Sequence, residues 1–509
     1  MFNPKTLLAL GMGVFLFASC KEDNSSSTIT PTIPVVETPD VTFWTLVDGK
    51  QLQRINTKSS ETAMTTIAIT GLMTNDALVA IDFRPATGEL YGVSTMNRLY
   101  VINQASGMAR VIGAAALNPV IDGTAVGFDF NPTVDRIRLV TNKGQNLRLH
   151  PETGAVAATD GMIANAANIS IESVAYTNSV AGTSTTVLYD IDSKTDKLYR
   201  QDPPNDGTLV ETGALGVDIS MSGGFDISGT GNVALTAVMV AGKWELHQVD
   251  LTTGKLTKLG NLPAGNVTGL AIATDPVAYA IEEVTNNLLI FNYTISGAPI
   301  SKAITGLQTG ETILGIDIRP ATGQLYALGS TSRLYVLNMA SGAATVVGTA
   351  PFATALSGTS FGFDFNPTVD RIRCISNTGQ NLRLHPDTGG IAATDGVLNP
   401  GTPSITASAY TNNFAGATTT VLYNIDTMTD KLTIQTPPNN GTQMEVGALG
   451  INVEDASGFD ITSRGGIAIA ALKVGTKTSL YTINLTTGMA TKTMDLPVTV
   501  RGLALGIGF

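Results

Sequence analysis

Hydrophobic and polar residues alternate along most of this chain in short runs of four to seven residues, a spacing typical of half-buried β-strands. Many of these runs end in a tight turn, as at residues 103–107 and 250–254. An Asn or Asp opens each turn with its side chain, and a glycine closes it where the backbone needs a left-handed conformation. The pattern predicts an all-β protein whose antiparallel strands are joined by tight turns.

The chain repeats itself after about 235 residues. The string IDFRPATGELYGV, which begins at Ile81, returns as IDIRPATGQLYAL at Ile316. A longer string begins at Gly127 and returns at Gly362 with five changes in 28 positions. Because 509 residues exceed one usual domain, we expect two domains, at residues 42–275 and 276–509.

Each copy contains five four-stranded units of about 47 residues, the size of one propeller blade. The fifth unit is split, because residues 267–272 supply one strand and residues 43–72 supply the other three. A blade shared between both ends of a copy closes a ring and leaves no open edge. The predicted fold is therefore two tandem five-bladed β-propellers. The alternative is one ten-bladed ring, which the short link 273–276 favours but the usual four to eight blades do not.

The first strand of each predicted blade lines the central channel of its ring. In both copies the middle residues of these strands are Asp, Asp, Ala, Asp and Ala. The acidic positions are Asp82, Asp129 and Asp226 in the first copy and Asp317, Asp364 and Asp460 in the second. Three carboxylates around a narrow axis repel one another unless they are protonated, hydrogen-bonded or bridged by a cation such as Ca²⁺. Two interpretations stay open: a ligand or calcium site, or carboxylates that accept backbone hydrogen bonds and join the blades.

The block that differs least between the copies is rich in arginine and carries two of the three histidines. The residues concerned are Arg136, Arg138, Arg148 and His150, and in the second copy Arg371, Arg373, Arg383 and His385. A shared ligand site would explain this block, and so would packing, in which guanidinium groups pair with Asp. Both histidines stand where other turns carry Asn or Asp, which favours a role in the turn. No nucleophile elbow, phosphate loop or zinc motif occurs, so we predict no catalytic residue.

The strings FDFNPTVDRIR, SNTGQNLRLHPDTG, AYTNN and GFDI closely resemble an uncharacterised bacterial family, domain-of-unknown-function family 4394. The resemblance covers nearly all of residues 42–509, in two copies. Members of that family with a single copy begin and end like each copy here, which implies that each copy closes into its own ring. The family carries no assigned activity or site residues, so the resemblance implies nothing about function.

Residues 1–20 have the shape of a secretory signal: one lysine, a short apolar run and small residues at the end. The ending resembles a bacterial lipobox, which implies that Cys20 becomes the first mature residue and carries the lipid. Residues 21–41, rich in Ser, Thr and Pro, are predicted to form a flexible tether. Within it, residues 21–23 resemble the export tag of Bacteroidetes-type surface lipoproteins. We therefore expect a lipoprotein of the outer membrane, displayed on the cell surface; the alternative is the periplasmic face.

The net charge of the chain limits the kinds of molecule that we expect it to bind. The chain has 30 Lys and Arg against 41 Asp and Glu, a net charge of −11, and only 14% of its residues are charged. Such a chain lacks the basic surface that nucleic-acid binding needs. We expect a membrane contact through the lipid anchor alone, and a non-enzymatic module that binds a glycan, protein or small ligand. The alternative is a hydrolase or lyase that uses the channel carboxylates on envelope or extracellular glycans.

Overall fold

The computed structural model describes residues 38–164 and 168–509, and of residues 455–457 the backbone alone. The lipidation candidate Cys20, the signal and most of the tether lie outside the described residues. No helix in the described part of the chain has the length and apolarity needed to cross a membrane.

The described chain is built almost entirely from strands. The first twenty are β1 (Thr42–Val47), β2 (Gln51–Asn56), β3 (Thr65–Ala68), β4 (Leu78–Phe83), β5 (Leu90–Ser94), β6 (Leu99–Ile102), β7 (Ala109–Ile112), β8 (Val126–Asn131), β9 (Arg136–Thr141), β10 (Asn146–Leu149), β11 (Val156–Thr159), β12 (Ile171–Tyr176), β13 (Leu188–Asp192), β14 (Lys197–Gln201), β15 (Leu209–Ala214), β16 (Met221–Ile227), β17 (Ala234–Val240), β18 (Lys243–Val249), β19 (Leu256–Asn261) and β20 (Val267–Ile272).

The second half repeats this series. Its strands are β21 (Ala278–Glu282), β22 (Leu288–Phe291), β23 (Ile300–Lys302), β24 (Ile313–Arg319), β25 (Gln324–Gly329), β26 (Arg333–Leu337), β27 (Ala344–Val347), β28 (Phe361–Asn366), β29 (Arg371–Ser376), β30 (Asn381–Leu384), β31 (Ile391–Thr394), β32 (Ile405–Tyr410), β33 (Leu422–Asp426), β34 (Lys431–Gln435), β35 (Gln443–Ala448), β36 (Asp455–Ile461), β37 (Ala468–Val474), β38 (Lys477–Ile483), β39 (Ala490–Asp495) and β40 (Val500–Leu505). Short 3₁₀ helices lie at Thr57–Ser59, Pro204–Asp206 and Pro438–Asn440.

These strands form ten four-stranded antiparallel sheets, five in each ring. The first ring contains β4–β7, β8–β11, β12–β15, β16–β19 and the split sheet β20-β1-β2-β3. The second contains β24–β27, β28–β31, β32–β35, β36–β39 and the split sheet β40-β21-β22-β23. Neighbouring innermost strands contact one another around each ring, from β4 through β8, β12, β16 and β20 back to β4, and likewise from β24 to β40.

The split sheets decide between two rings and one. Phe43 of β1 lies opposite Ile272 of β20, and Ala278 of β21 lies opposite Leu505 of β40. Each ring is thus closed by a sheet made from its own two ends. A single ten-bladed ring would need β20 beside β21, so the prediction of two five-bladed propellers is confirmed.

Burial falls from the channel to the rim of each blade. The innermost strand β4 is buried at five of its six residues, whereas the outermost strand β11 has no buried residue. Innermost strands pack on both faces and therefore have nearly continuous apolar sequences such as LVAIDF. Outermost strands are more exposed, and in β11 and β31 half-buried and exposed residues alternate.

The repeated turn also joins neighbouring blades. Asn103 Oδ1 accepts hydrogen bonds from the backbone N–H groups of Ala105 and Ser106, and Gly107 has a φ of 73°. A Cβ at this glycine would lie 2.1 Å from the carbonyl oxygen of Ala68, in the outer strand of the adjacent sheet. The glycine therefore provides the left-handed conformation and also the space for the next blade.

Candidate functional site

The channel carboxylates meet in two separate groups, one in each ring. The groups are Asp82, Asp129 and Asp226, and Asp317, Asp364 and Asp460; within each, one oxygen per residue lies within 4.8 Å of the others. All six side chains are buried, with at most 4% of any residue exposed. Alternation along the innermost strands turns each Asp away from its large apolar neighbours and towards the other carboxylates.

Each carboxylate also accepts a hydrogen bond from the backbone of another blade of its ring. The donors are the N–H groups of Phe130, Tyr176 and Ile272 in the first ring and of Phe365, Tyr410 and Leu505 in the second, at 2.5–3.1 Å. These bonds connect blades around the channel. Carboxylates that join the blades through backbone hydrogen bonds are one of the two interpretations of the sequence. Each carboxylate oxygen has further lone pairs, so these bonds do not prevent the same oxygens from binding a cation.

Burial raises the pKa of every carboxyl group in both clusters. Repulsion from another carboxylate of the cluster adds to this effect at Asp82, Asp129, Asp317 and Asp364. The pKa values of Asp226 and Asp460 are raised to about 7. The carboxyl groups of both clusters therefore keep their protons to a higher pH than usual. This is expected for carboxylates that are removed from water without a positive charge beside them.

Most of the arginine block is engaged in pairing between strands and blades. Arg138, 1% exposed, donates to Asp160 and Asn146 of its own blade and to Asn205 beyond it, each at 2.7 Å. Arg148 donates to both oxygens of Asp160 at 2.8 Å. Burial opposes ionisation of Asp160, but hydrogen bonds from both arginines hold the pKa of this carboxyl below its usual value. Arg373 and Arg383 make the equivalent bonds to Asp395.

Arg136 and His150 lie elsewhere, in a cavity of about 350 Å³ where the two rings meet. Asn338 and Met339 of the second ring line the opposite wall. Burial and the nearby Arg136 lower the pKa of His150. Their counterparts Arg371 and His385 are not among the residues that line this cavity.

The two rings contact each other through equivalent faces. Arg84, in the turn between β4 and β5, donates to the carbonyl oxygen of Gly323, in the matching turn between β24 and β25, at 3.1 Å. Arg464 donates to Gln104 Oε1 at 2.6 Å. The four turns that contain these residues lie at the same end of the blades. At this end the first strand of a blade connects to the second, and the third connects to the fourth.

An apolar cleft of about 310 Å³ opens at one side of this junction. The first ring and the link contribute Ser179, Val180, Ala181, Thr230, Thr274, Asp275 and Pro276; the second ring contributes Val277, Ile290, Phe291, Ile295, Gly297, Ala298 and Ile300, among others. Ile295 is 62% exposed. Thr274 Oγ1 is buried without a hydrogen-bond partner in the described ranges, while Asp275 accepts a hydrogen bond from Thr230 at 2.7 Å.

Sequence reasoning missed this cleft. In the sequence the link 273–276 is distinctive only because it is short, and Ile295 stands in a loop with Gly, Ser and Pro that resembles an ordinary turn. The one available signal was an isolated large apolar residue in a polar loop. Nothing in the pattern says that loops from different copies meet.

The geometry defines the class of protein: a pair of five-bladed β-propellers joined through equivalent faces, each with three buried carboxylates at its channel. The chain belongs to the family described as "Domain of unknown function (DUF4394)", whose profile matches residues 51–271 and 287–504. No curated protein sequence matches the chain.

Several solved structures are similar at low sequence identity. The extracellular domain of the putative one component system BT4673 from B. thetaiotaomicron is 13% identical, with a TM-score of 0.25; the match covers 88% of this chain and 59% of that one. The Dos1 propeller is 11% identical, with a TM-score of 0.26, over 66% of this chain and 90% of that one. PorZ of Porphyromonas gingivalis, described as a surface component of the type-IX secretion system, is 13% identical, with a TM-score of 0.25, over 90% and 58%. The chain thus spans less than two thirds of the BT4673 domain and of PorZ, and at these TM-scores none of the likenesses bears on function.

Proposed function

We propose that this protein is a lipid-anchored, non-enzymatic binding module of the cell envelope, and that it holds a small, largely apolar ligand in the cleft between its two rings. The observation that carries the proposal is the cleft itself, which is lined by apolar side chains of both rings and by a few polar residues such as Asp275. Small-molecule sites are typically concave, mostly apolar, equipped with a few polar groups, and frequent at domain interfaces.

The size and chemistry of the cleft favour a particular class of ligand. A volume of about 310 Å³ lies at the lower end of the range for small-molecule pockets. Val180, Ile290 and Ile295 provide apolar contacts, and the hydrogen-bonded side chains of Thr230 and Asp275 provide polar groups at the lining. A compact molecule with an apolar body and one polar group suits this lining better than a polysaccharide, which needs many polar contacts.

The channel carboxylates are less suited to the alternative function, hydrolysis or elimination on a glycan. General acid–base catalysis requires a carboxyl group within hydrogen-bonding reach of the substrate. All six carboxylates are at most 4% exposed, and each already accepts a backbone hydrogen bond. A sugar ring would have to displace the innermost strands to reach them.

The cleft can be tested by filling it. Gly297 lines the cleft, a Cβ there would have no heavy atom of the described residues within 4 Å, and the backbone is not left-handed, so Gly297→Phe introduces a ring at the cleft without strain. Nile red, a dye that fluoresces in apolar surroundings, serves as the probe. We expect the full chain to bind the dye, and Gly297→Phe to weaken this binding about 10-fold or more, a loss of about 1.4 kcal/mol.

The matched control is Ala116→Phe, which adds the same ring at an exposed loop outside the cleft. This variant should bind the dye as the unmodified chain does. Equal binding by Gly297→Phe and the unmodified chain, or equal loss in both variants, would contradict the assignment of the ligand to the cleft.

The envelope location rests on the sequence before residue 38. A lipobox cysteine supplies the thiol that is acylated, so metabolic labelling with an alkyne fatty acid should mark the protein and Cys20→Ser should abolish the label. Protease treatment of intact cells then separates the two membrane faces. Digestion supports outer-surface display, and full protection would place the protein on the periplasmic face instead.

A further inference from the structure

The channel of the second ring contains a cluster of carboxylates. None of them forms an ion pair with a Lys, Arg or His side chain of the described residues. Asp317, Asp364 and Asp460 are each at most 1% exposed, and their oxygens lie within 4.8 Å of one another. The ion pairs of this ring that are closest in sequence involve Arg319 and Arg373, which pair with other carboxylates. Backbone N–H groups satisfy part of the cluster, but neutral donors do not cancel the charge that these buried carboxylates carry when they are ionised.

A second observation comes from a residue outside the acidic cluster. Asn413 is 1% exposed, and its Nδ2 lies 3.5 Å from Asp460 Oδ1. In the described part of the chain, its buried Oδ1 has no hydrogen-bond partner, and neither has Asp364 Oδ2. Two buried oxygen atoms beside the same cluster therefore lack a donor.

The side-chain amide of Asn413 can rotate without any movement of the backbone. A half-turn about its terminal bond exchanges Nδ2 and Oδ1. The amide oxygen then faces the carboxylates, an arrangement that is repulsive unless a positive charge lies between them. The first ring provides the comparison, because it has the same three acids but Ser179 where the second ring has Asn413.

We propose that Asp317, Asp364, Asp460 and the amide oxygen of Asn413 bind a divalent, oxygen-preferring cation of the Ca²⁺ type in the channel of the second ring. Carboxylate and amide oxygens are the ligands that Ca²⁺ uses in proteins, and its flexible coordination by six to eight oxygens allows water to complete the shell. The cation would offset the repulsion among the acids and tie three blades to one centre. The first ring, which lacks the amide, is expected to bind Ca²⁺ more weakly.

The test uses the full chain, stripped with a chelator and titrated with Ca²⁺ alone. We expect one tight site per chain, with a dissociation constant of about 1 mM or lower, and a thermal midpoint that rises on addition of Ca²⁺. The midpoint should fall again when the chelator returns. A stripped chain that takes up no Ca²⁺ by elemental analysis, and whose midpoint does not move, would overturn the proposal.

Two variants locate the site. Asp364→Asn and Asp129→Asn remove the same charge from equivalent positions of the two rings, and Asn can still accept the backbone hydrogen bond. We expect Asp364→Asn to lose the tight site and Asp129→Asn to keep it. Loss with Asp129→Asn alone, or equal loss in both, would overturn the assignment to the second ring.

A third variant covers the case in which Asp364→Asn does not fold. Asn413→Ser gives the second ring the residue that the first ring carries, so the fold has a precedent in the same chain. We expect this change to weaken Ca²⁺ binding about 10-fold. Unchanged affinity in Asn413→Ser would show that the amide is not a ligand and would contradict the proposed site.

Discussion

Asp190 shows how one residue can oppose the stability of its own blade. It is fully buried on β13, neither of its carboxylate oxygens has a hydrogen-bond partner among the residues that the structure describes, and burial raises the pKa of this group to about 8. The second ring has Asn424 at the equivalent place, whose Nδ2 donates to Gln435 Oε1 at 2.9 Å. The matching Gln201 of the first ring keeps an unpartnered Oε1. A neutral donor suits this site better than a carboxylate.

We therefore predict that Asp190→Asn stabilises the protein, increasingly so as the pH rises. In the unfolded chain Asp190 loses its proton near pH 3.8, whereas in the folded protein it keeps the proton until about pH 8. Ionisation thus favours the unfolded state progressively between these two values, and the folded state of the variant avoids this loss. Thermal unfolding at pH 5 and pH 8 measures the effect.

The stability gain of Asp190→Asn should be larger at pH 8 than at pH 5. Asp190→Ala is the control, because it removes the charge but leaves a cavity and no donor for Gln201. A gain that is the same at both pH values, or a loss at pH 8, would show that Asp190 is not a destabilising buried carboxyl.

At the scale of the element, the turn between the third and fourth strands determines how closely blades approach. Gly389 has a φ of 67°, and a Cβ there would lie 2.1 Å from the carbonyl oxygen of Val347 in the adjacent blade. The neighbouring Gly390 is not left-handed, and the nearest atom to its Cβ would be 3.6 Å away. Two adjacent glycines therefore have different physical roles.

We predict that Gly389→Ala destabilises the protein by more than about 1 kcal/mol, whereas Gly390→Ala does not. The first substitution forces a side chain into a left-handed conformation and against backbone; the second only reduces the freedom of the unfolded chain. Urea unfolding of both variants provides the measurement. Equal stability of the two variants would mean that the turn does not set the distance between blades.

The elements were largely predictable from the sequence, and the reasons are local. Alternation and Asn-to-Gly turns predicted the strands, and the repeat predicted that residues 267–272 return to β1. The hydrogen bonds that the channel carboxylates accept from the backbone of another blade, by contrast, depend on the distance between innermost strands. Local pattern does not encode that distance, so the sequence could only leave two interpretations of Asp82 and its equivalents.

At the scale of the whole molecule, one buried arginine links the rings. Arg84 is fully buried; its Nε donates to Asp135 at 2.9 Å, its Nη2 to Glu152 at 2.6 Å, and its Nη1 to Gly323 of the second ring. Its counterpart Arg319 pairs with two acids of its own ring whose side chains are 34% and 61% exposed. Both arginines lie in the same motif, but only Arg84 reaches the other ring.

Arg84→Met should cost about 3–5 kcal/mol of folding free energy, because it leaves buried acids unpaired and removes a contact between the rings. Arg319→Met should cost about 1 kcal/mol or less, since water can solvate its partners. Calorimetry of the two variants compares them. A similar loss in both would contradict the role of Arg84 at the junction.

The contact between the two rings could not be predicted from the sequence. The two copies are so similar that the sequence gives no reason why one face of each ring should be covered. The contact follows from small differences at equivalent turns, such as Arg464 where the first copy has Thr230. Their effect becomes visible only when both rings are in place, and the cleft is a product of that contact.

The most direct test of this account is hydrogen–deuterium exchange of the full chain with and without Nile red. A ligand held between the rings should slow exchange at residues 178–181, 274–277 and 290–300, which come from both copies and the link. Exchange at the outermost strands should be unchanged. Protection confined to one ring away from these segments, or dye binding with no protection at the junction, would contradict the claim that the protein binds its ligand between its two rings.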